Sequence, residues 1–166
     1  MGEAPRDPRS AAPAPDAANL GLLRPPLVFL ASILAGVALD AVWPLALVPR
    51  AVRAPLGGAV VVAAVVLFAH SLRTFHAART SVRGDVPASA VVRSGPYRLT
   101  RNPIYLAFSV FQLGLAVAAD NPWLLATLLP AVGLMAYVVI PREERYLERR
   151  FGAAYLDYKA SVRRWL

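Results

Sequence analysis

Long apolar runs alternate along the chain with short segments that carry arginine. Four runs stand out, at 26–42, 56–72, 103–119 and 122–140. The second contains Val60-Val61-Val62-Ala63-Ala64-Val65-Val66-Leu67-Phe68. Valine alone favours a strand, but an uninterrupted run of this length predicts a membrane helix. Each run is close to the shortest that crosses a hydrocarbon core of ~30 Å, so local thinning or snorkelling arginines are expected. Asn102-Pro103 and Asn121-Pro122 read as helix starts, with Asn at the cap and Pro at the first helical position. Spans three and four are joined only by the Asp120-Asn121-Pro122 turn. Pro130, followed by Gly133, predicts a kink in the fourth helix and space beside it. Pro141-Arg142-Glu143-Glu144 then predicts a new helix, with Pro early and acids in its first turn. Leu147, Phe151, Tyr155, Tyr158, Val162 and Trp165 recur every three or four residues, while Arg149, Arg150, Lys159, Arg163 and Arg164 take other faces. That pattern predicts an amphipathic helix lying on the membrane, bent at Gly152. The expected fold class is all-α integral membrane, with about four transmembrane helices plus this C-terminal interfacial helix.

Residues 1–24 are rich in Ala and Pro and predict a disordered tail. They lack the apolar core of a signal peptide. Residues 25–166 are expected to form one membrane domain. The chain is 57% hydrophobic and 17% charged, whereas a soluble domain is nearer half apolar and a quarter charged. Its net charge of +8 comes almost wholly from arginine, which in a soluble protein would point to nucleic acid. Here the arginines flank apolar runs, so the positive-inside bias accounts for them and no nucleic-acid partner is expected. Arg73, Arg79, Arg83, Arg93, Arg98 and Arg101 crowd the loop between spans two and three, and Arg142, Arg145, Arg149 and Arg150 follow span four. The turn between spans three and four has no basic residue; Arg50 and Arg53 in the first loop are offset by Arg6, Arg9 and Arg24. Both termini and the long loop should therefore face the cytoplasm of a multi-pass protein, expected in a bacterial inner membrane. With no cysteine, the chain has no disulfide, no thiolate metal site and no thiol nucleophile. His70 and His76 have no nearby acidic partner, so no metal site is expected.

The chemistry concentrates in two places. One is the polar loop Ser94-Gly95-Pro96-Tyr97-Arg98-Leu99-Thr100-Arg101-Asn102-Pro103-Ile104-Tyr105, which ends by launching the third helix. Arg101 and Asn102 stand where backbone N–H groups are free and the helix dipole is positive, a natural place for an anion. The other is Glu143-Glu144 at the exit of the fourth span. A short hairpin brings its two ends together, so the Asn102 helix start and Glu143 should be close. Taken singly, Asn-Pro is a helix start, and a Glu pair usually serves as a cap and an arginine partner. Together they ask for a ligand with several groups. The carboxylates would take a ribose diol or an ammonium, Arg101 and the helix start a carboxylate, and Tyr97 and Tyr105 a ring. S-adenosylmethionine carries all of these parts.

Ser94-Gly95-Pro96-Tyr97, Arg101-Asn102-Pro103-Ile104-Tyr105, Glu143-Glu144, Phe151-Gly152-Ala153-Ala154-Tyr155-Leu156-Asp157-Tyr158 and Val162-Arg163-Arg164, taken in that order, resemble the isoprenylcysteine carboxyl methyltransferase and phospholipid methyltransferase family. The resemblance covers roughly residues 72–166. It implies S-adenosylmethionine in a cytoplasm-facing pocket capped by the C-terminal helix and lined by Tyr97, Asn102, Pro103, Ile104, Tyr105 and Glu143. Ser89, Ala90, Val91 and Val92 would add contacts, chiefly through the backbone. Arg101 and Glu144 are the candidate catalytic residues. Either glutamate is a candidate general base for an acceptor protonated at neutral pH, or a cofactor ligand. Asn102 stands where better-known members have histidine, which keeps a hydrogen-bonding side chain and removes a titratable one. In the eukaryotic prenylcysteine enzymes an arginine one turn before the first glutamate is tied to the substrate carboxylate. Val139 stands there instead, which speaks against a prenylcysteine acceptor more than against the cofactor. The expected partners are the cofactor, membrane lipids and a lipophilic acceptor (a prenylcysteine carboxylate, a phospholipid amine or another) entering sideways near Pro130, past Ala107, Gly114, Ala131 and Gly133. Two other readings compete: a sterol reductase-like membrane enzyme using a nicotinamide cofactor, and a non-catalytic membrane protein that keeps the fold.

Overall fold

The computed structural model describes residues 24–78 and 88–166. All of the expected N-terminal tail except Arg24 lies outside the described residues, as do Arg79 and Arg83. The elements are α1 (Pro25–Val42), α2 (Arg50–Ala77), a 3-10 turn (Gly95–Arg98), α3 (Pro103–Ala119), α4 (Pro122–Leu134), a π-helical turn (Met135–Val139), α5 (Ile140–Phe151) and α6 (Ala153–Ser161). Among the described residues α1, α2 and the continuous run Pro122–Phe151 are long and apolar enough to cross a membrane, and α3 is a shorter apolar helix. The chain is a multi-pass, all-helical membrane protein.

The expected helix start at Pro141 is not a start. Helix runs unbroken from α4 through the π turn into α5, carrying Glu143 and Glu144 on an extension of the fourth span. Pro141 has no N–H to give to Tyr137, and in α geometry its ring would strike that carbonyl. The wider π turn just before it relieves both problems, with the Ile140 N–H donating to the carbonyl of Met135, five residues back.

α2 packs chiefly on α3, and α1 on α4. Small residues allow the backbones to meet. A Cβ on Gly57 would lie 2.4 Å from the Ala118 nitrogen, and one on Gly114 2.8 Å from that of Val61. Gln112, fully buried in α3, donates to Ser32 Oγ of α1 at 2.7 Å and to the Leu124 carbonyl of α4 at 2.9 Å. One side chain thus joins three helices where no water competes. Leu30, Leu34, Val62, Val66, Leu129 and Tyr137 stay exposed on the outer faces, where hydrocarbon is their natural solvent.

The α1–α2 loop and the α3–α4 turn meet at one end of the bundle. Asp120 takes the left-handed conformation (φ 52°) that ends α3. Its carboxylate accepts from the Leu47 and Val48 N–H groups at 2.8 and 2.7 Å, and pairs with Arg53 at 2.5 Å. Those two N–H groups, and then Arg53, hold the Asp120 carboxyl below the usual carboxylate range. Asn121 caps α4 as expected, its side-chain oxygen accepting from the Leu124 N–H at 3.2 Å. Trp123 donates to the Trp43 carbonyl at 2.7 Å, so two indoles meet at this end.

Candidate active site

At the other end the predicted loop, the α5 glutamates and the tail converge. Gly95 has φ +57°, and a Cβ there would lie 2.7 Å from Thr74 Oγ1 of α2, so only glycine fits this turn. The turn buries Tyr97, whose ring meets Phe75 edge-on with centroids 5.0 Å apart. Tyr158 of α6 donates to the Tyr97 carbonyl at 2.7 Å. Gly152, at φ +53°, breaks the helix so that α6 can turn back. The aromatic stripe of the tail therefore faces protein: Tyr155 and Tyr158 are buried with Val92 and Tyr97, and Leu147, Phe151 and Val162 pack around them.

Two carboxylates sit side by side with different surroundings. Glu143 is half-buried, and its Oε1 accepts from the Tyr105 phenol at 2.6 Å. Glu144 is 4% exposed and lies among cations. Arg164 grips it with two bonds of 3.1 and 2.7 Å, Arg101 lies at 3.2 Å and Lys159 at 3.8 Å. The hydrogen bonds to Glu144 raise the pKa of the Arg164 guanidinium above its ordinary value. Burial first, then the charges of Tyr158 and Glu143, pushes the Tyr97 phenol above its usual range. The Tyr158 phenol is pushed up to about 12 by burial, against the pull of Arg101 and Arg93. Both phenols are therefore neutral donors at physiological pH.

Within this cluster Arg101 is incompletely paired. Its side chain is 9% exposed, yet Nε and Nη1 are buried without a hydrogen-bond partner among the described residues. Buried guanidinium N–H groups without an acceptor are costly. This geometry has the capacity to hold an anion beside a carboxylate, at the start of a membrane helix.

The sequence pattern of a known family, described as phospholipid methyltransferase, matches residues 52–154. The chain belongs to the phospholipid methyltransferase family. Over 72 residues it is 36% identical to protein-S-isoprenylcysteine O-methyltransferase A of Arabidopsis thaliana, a match covering 43% of this chain and 36% of that protein. The chain thus spans about a third of the length of this curated relative. No solved structure matches it. Nothing in these comparisons favours a nicotinamide-dependent reductase.

The fold of this family member brings Tyr97, Tyr105, Glu143, Arg101, Asn102 and Glu144 to one end of the bundle. Asn102 is at the cap position of α3 but makes no side-chain cap bond. Its amide turns to the tail and donates to the Arg164 carbonyl at 2.9 Å. Pro103 is buried and Ile104 half-buried at the helix start. Of the preceding segment, Ser89 is exposed, Ala90 half-buried, and Val91 and Val92 pack into the tyrosine cluster. The segment is tied to α5 and α6. The Ala88 N–H donates to the Tyr146 phenol at 3.1 Å, Arg150 donates to the Ala88 carbonyl, and Arg93 donates to that of Ala154. The sequence placed Arg164 and Trp165 only in the amphipathic pattern, and neither they nor Thr100 were expected at the site. The Val162-Arg163-Arg164 pattern was the available signal, but spacing does not reveal which carboxylate an arginine meets.

Proposed function

We propose that this protein is a membrane-embedded methyltransferase that takes its methyl group from S-adenosylmethionine and passes it to a lipophilic acceptor. What carries the reading, beside family membership, is a pair of opposite charges at one end of the bundle: the Glu143 carboxylate and Arg101 Nε and Nη1, which have no partners among the described residues. The donor set fits the cofactor. Glu143, steadied by Tyr105, would take a ribose diol or ammonium; Arg101 would take a carboxylate; and Tyr97 would pack on the adenine. The cofactor supplies an activated methyl on a sulfonium. Methyl transfer from it disperses charge, so the chain's task is to align the acceptor in a dry pocket. Glu143 also lies where a proton could be accepted from a neutral amine or thiol. Glu144, engaged by three cations, suits an anchoring role better than that of a base.

The acceptor reading moves from the Pro130 side. Gly114 packs against Val61 and Ala131 is buried, so these small residues serve helix packing, while the space beside Gly133 is open. A pocket of about 270 Å³, lined by apolar residues, opens instead between α1, α2 and α3, walled by Phe29, Phe68, Phe108 and Ala107. Phe108 lies one turn beyond Tyr105, which supports this pocket as the place for the acceptor's hydrocarbon chain.

Purified protein is incubated with methyl-labelled S-adenosylmethionine and phosphatidylethanolamine, a prenylcysteine, or small thiols and amines. Label is expected in a long-chain acceptor. Turnover confined to water-soluble acceptors would sink the lipophilic reading, and binding of a nicotinamide cofactor in place of S-adenosylmethionine would sink the whole. The site is proposed to face the cytoplasm. A cysteine placed at Ala119 should label from outside intact cells and one at Ser161 should not; the reverse pattern inverts the topology.

A further inference from the structure

Beyond α6 the backbone becomes extended at Val162 (φ −127°, ψ 135°) and returns across the start of α3. Three kinds of anchor hold it. The Arg163 carbonyl accepts from the Arg101 N–H at 2.9 Å, and the Arg164 carbonyl accepts from Thr100 Oγ1 at 3.1 Å and Asn102 Nδ2 at 2.9 Å. The Arg164 guanidinium holds Glu144. Trp165 packs against the apolar cluster of Phe29, Met135, Val139 and Ile140, in the same shell as Tyr105. Lys159, Arg164 and Trp165 all lie beyond residue 154, where the family match ends.

A peptide carbonyl and a ligand oxygen are the same kind of acceptor. While the tail carbonyls sit on Thr100, Arg101 and Asn102, those donors are closed to a ligand. The anchors are also arranged so that release is tolerable. If Arg164 leaves, Glu144 keeps Arg101 and Lys159, so no buried carboxylate is stranded. The Arg164 side chain is 37% exposed and can pass into water without a large desolvation change. We propose that residues 162–166 are a strap over the start of α3, and that Glu144 and Arg164 are positioning residues that set how readily it opens to admit the cofactor and closes behind it. The strap itself stands on the contacts above; that S-adenosylmethionine is what passes rests on the function proposed in the preceding section.

The test uses the full chain in detergent, with Trp43 and Trp123 replaced by Phe so that Trp165 alone reports. Without ligand, Arg164→Gln should speed hydrogen exchange at the Arg101 amide by roughly tenfold or more, the effect of losing a charge-assisted bond. The amide of Leu124, at the far end of the bundle, should be unchanged, and Trp165 emission should shift to the red. S-adenosylmethionine should then associate and dissociate faster than with the parent protein, and Arg164→Lys should recover part of the difference. If Arg164→Gln does not fold, Asn102→Ala, which removes a single anchor, serves for the ligand-free exchange measurement, and Arg164→Lys serves for the ligand rates. Unchanged exchange at Arg101, or an equal rise at Leu124, overturns the strap. Faster exchange with unaltered ligand rates overturns its gating role. Failure of the parent protein to bind S-adenosylmethionine overturns the cofactor reading, while the exchange result still decides the strap.

Discussion

Each end of the bundle holds a buried carboxylate bound by arginine, and the two ends differ in how completely their polar groups are used. At the Asp120 end one carboxylate meets two backbone N–H groups and Arg53, and Arg53 Nε donates to the Val48 carbonyl at 2.7 Å. The knot ties the two connections of the bundle together, with both oxygens of the Asp120 carboxylate engaged. At the Glu144 end, among the described residues, three cations crowd one carboxylate, a second carboxylate accepts from the Tyr105 phenol, and Arg101 Nε and Nη1 have no partners. A satisfied knot stabilises; an unsatisfied one has capacity left over. Satisfaction of hydrogen-bonding groups, more than charge or burial, separates a structural ion pair from a site.

The comparison can be broken most severely at Glu144. Glu144→Ala leaves buried Arg101 without its counter-charge, an expected loss of ~3–5 kcal/mol of stability, read as a fall in Tm in detergent. Asp120→Ala should lower Tm less, because its partners are loop N–H groups and a partly exposed arginine that water can reach. Equal falls at the two ends would erase the distinction.

Glu143→Ala should do the opposite of Glu144→Ala: little change in Tm and about a ten- to hundredfold weaker affinity for S-adenosylmethionine by calorimetry, the effect of losing one bond to a charged group. Tyr105→Phe should weaken binding in the same direction by a smaller factor, since the carboxylate remains but is no longer steadied. Intact affinity in both variants would return Glu143 to the role of a helix-end carboxylate.

A further contrast lies along the membrane faces. Val65→Trp, at an exposed wall of the apolar pocket, should reduce methylation of a long-chain acceptor severalfold while cofactor affinity holds. Gly133→Phe, in open space, should change neither. Inhibition by Gly133→Phe alone would restore entry beside Pro130.

The smallest effect is expected in acid. Because the folded-state pKa of Asp120 is depressed, its contribution to stability is present above the ordinary carboxylate pKa of ~4 and is lost as pH falls through that value towards the folded-state pKa. The Tm advantage of the parent protein over Asp120→Asn should therefore hold at pH 6 and shrink as pH is lowered through 4. An advantage that grew on acidification would contradict the assignment.

Much was legible from the chain alone, because the decisive quantities were local. Run length and apolarity set the membrane helices: backbone groups in hydrocarbon must pair within their own segment. Asn121-Pro122 marked the start of α4, and the short turn between α3 and α4 led to the expectation that Asn102 and Glu143 would lie close together. What the sequence left open were choices between competing partners. Asn102 could cap α3 or reach the tail, and it reaches the tail because the Arg164 carbonyl is brought within 2.9 Å. Pro141 could start a helix or be absorbed in one, and the π turn at Met135–Val139 absorbs it. Glu143 and Glu144 look alike in sequence; their side chains point differently from one helix, so one meets a phenol and the other meets three cations. Local chemistry chose the elements, and only the tertiary structure, by bringing residues 61 and 62 positions apart into contact, decided which polar groups were engaged and which were left without partners.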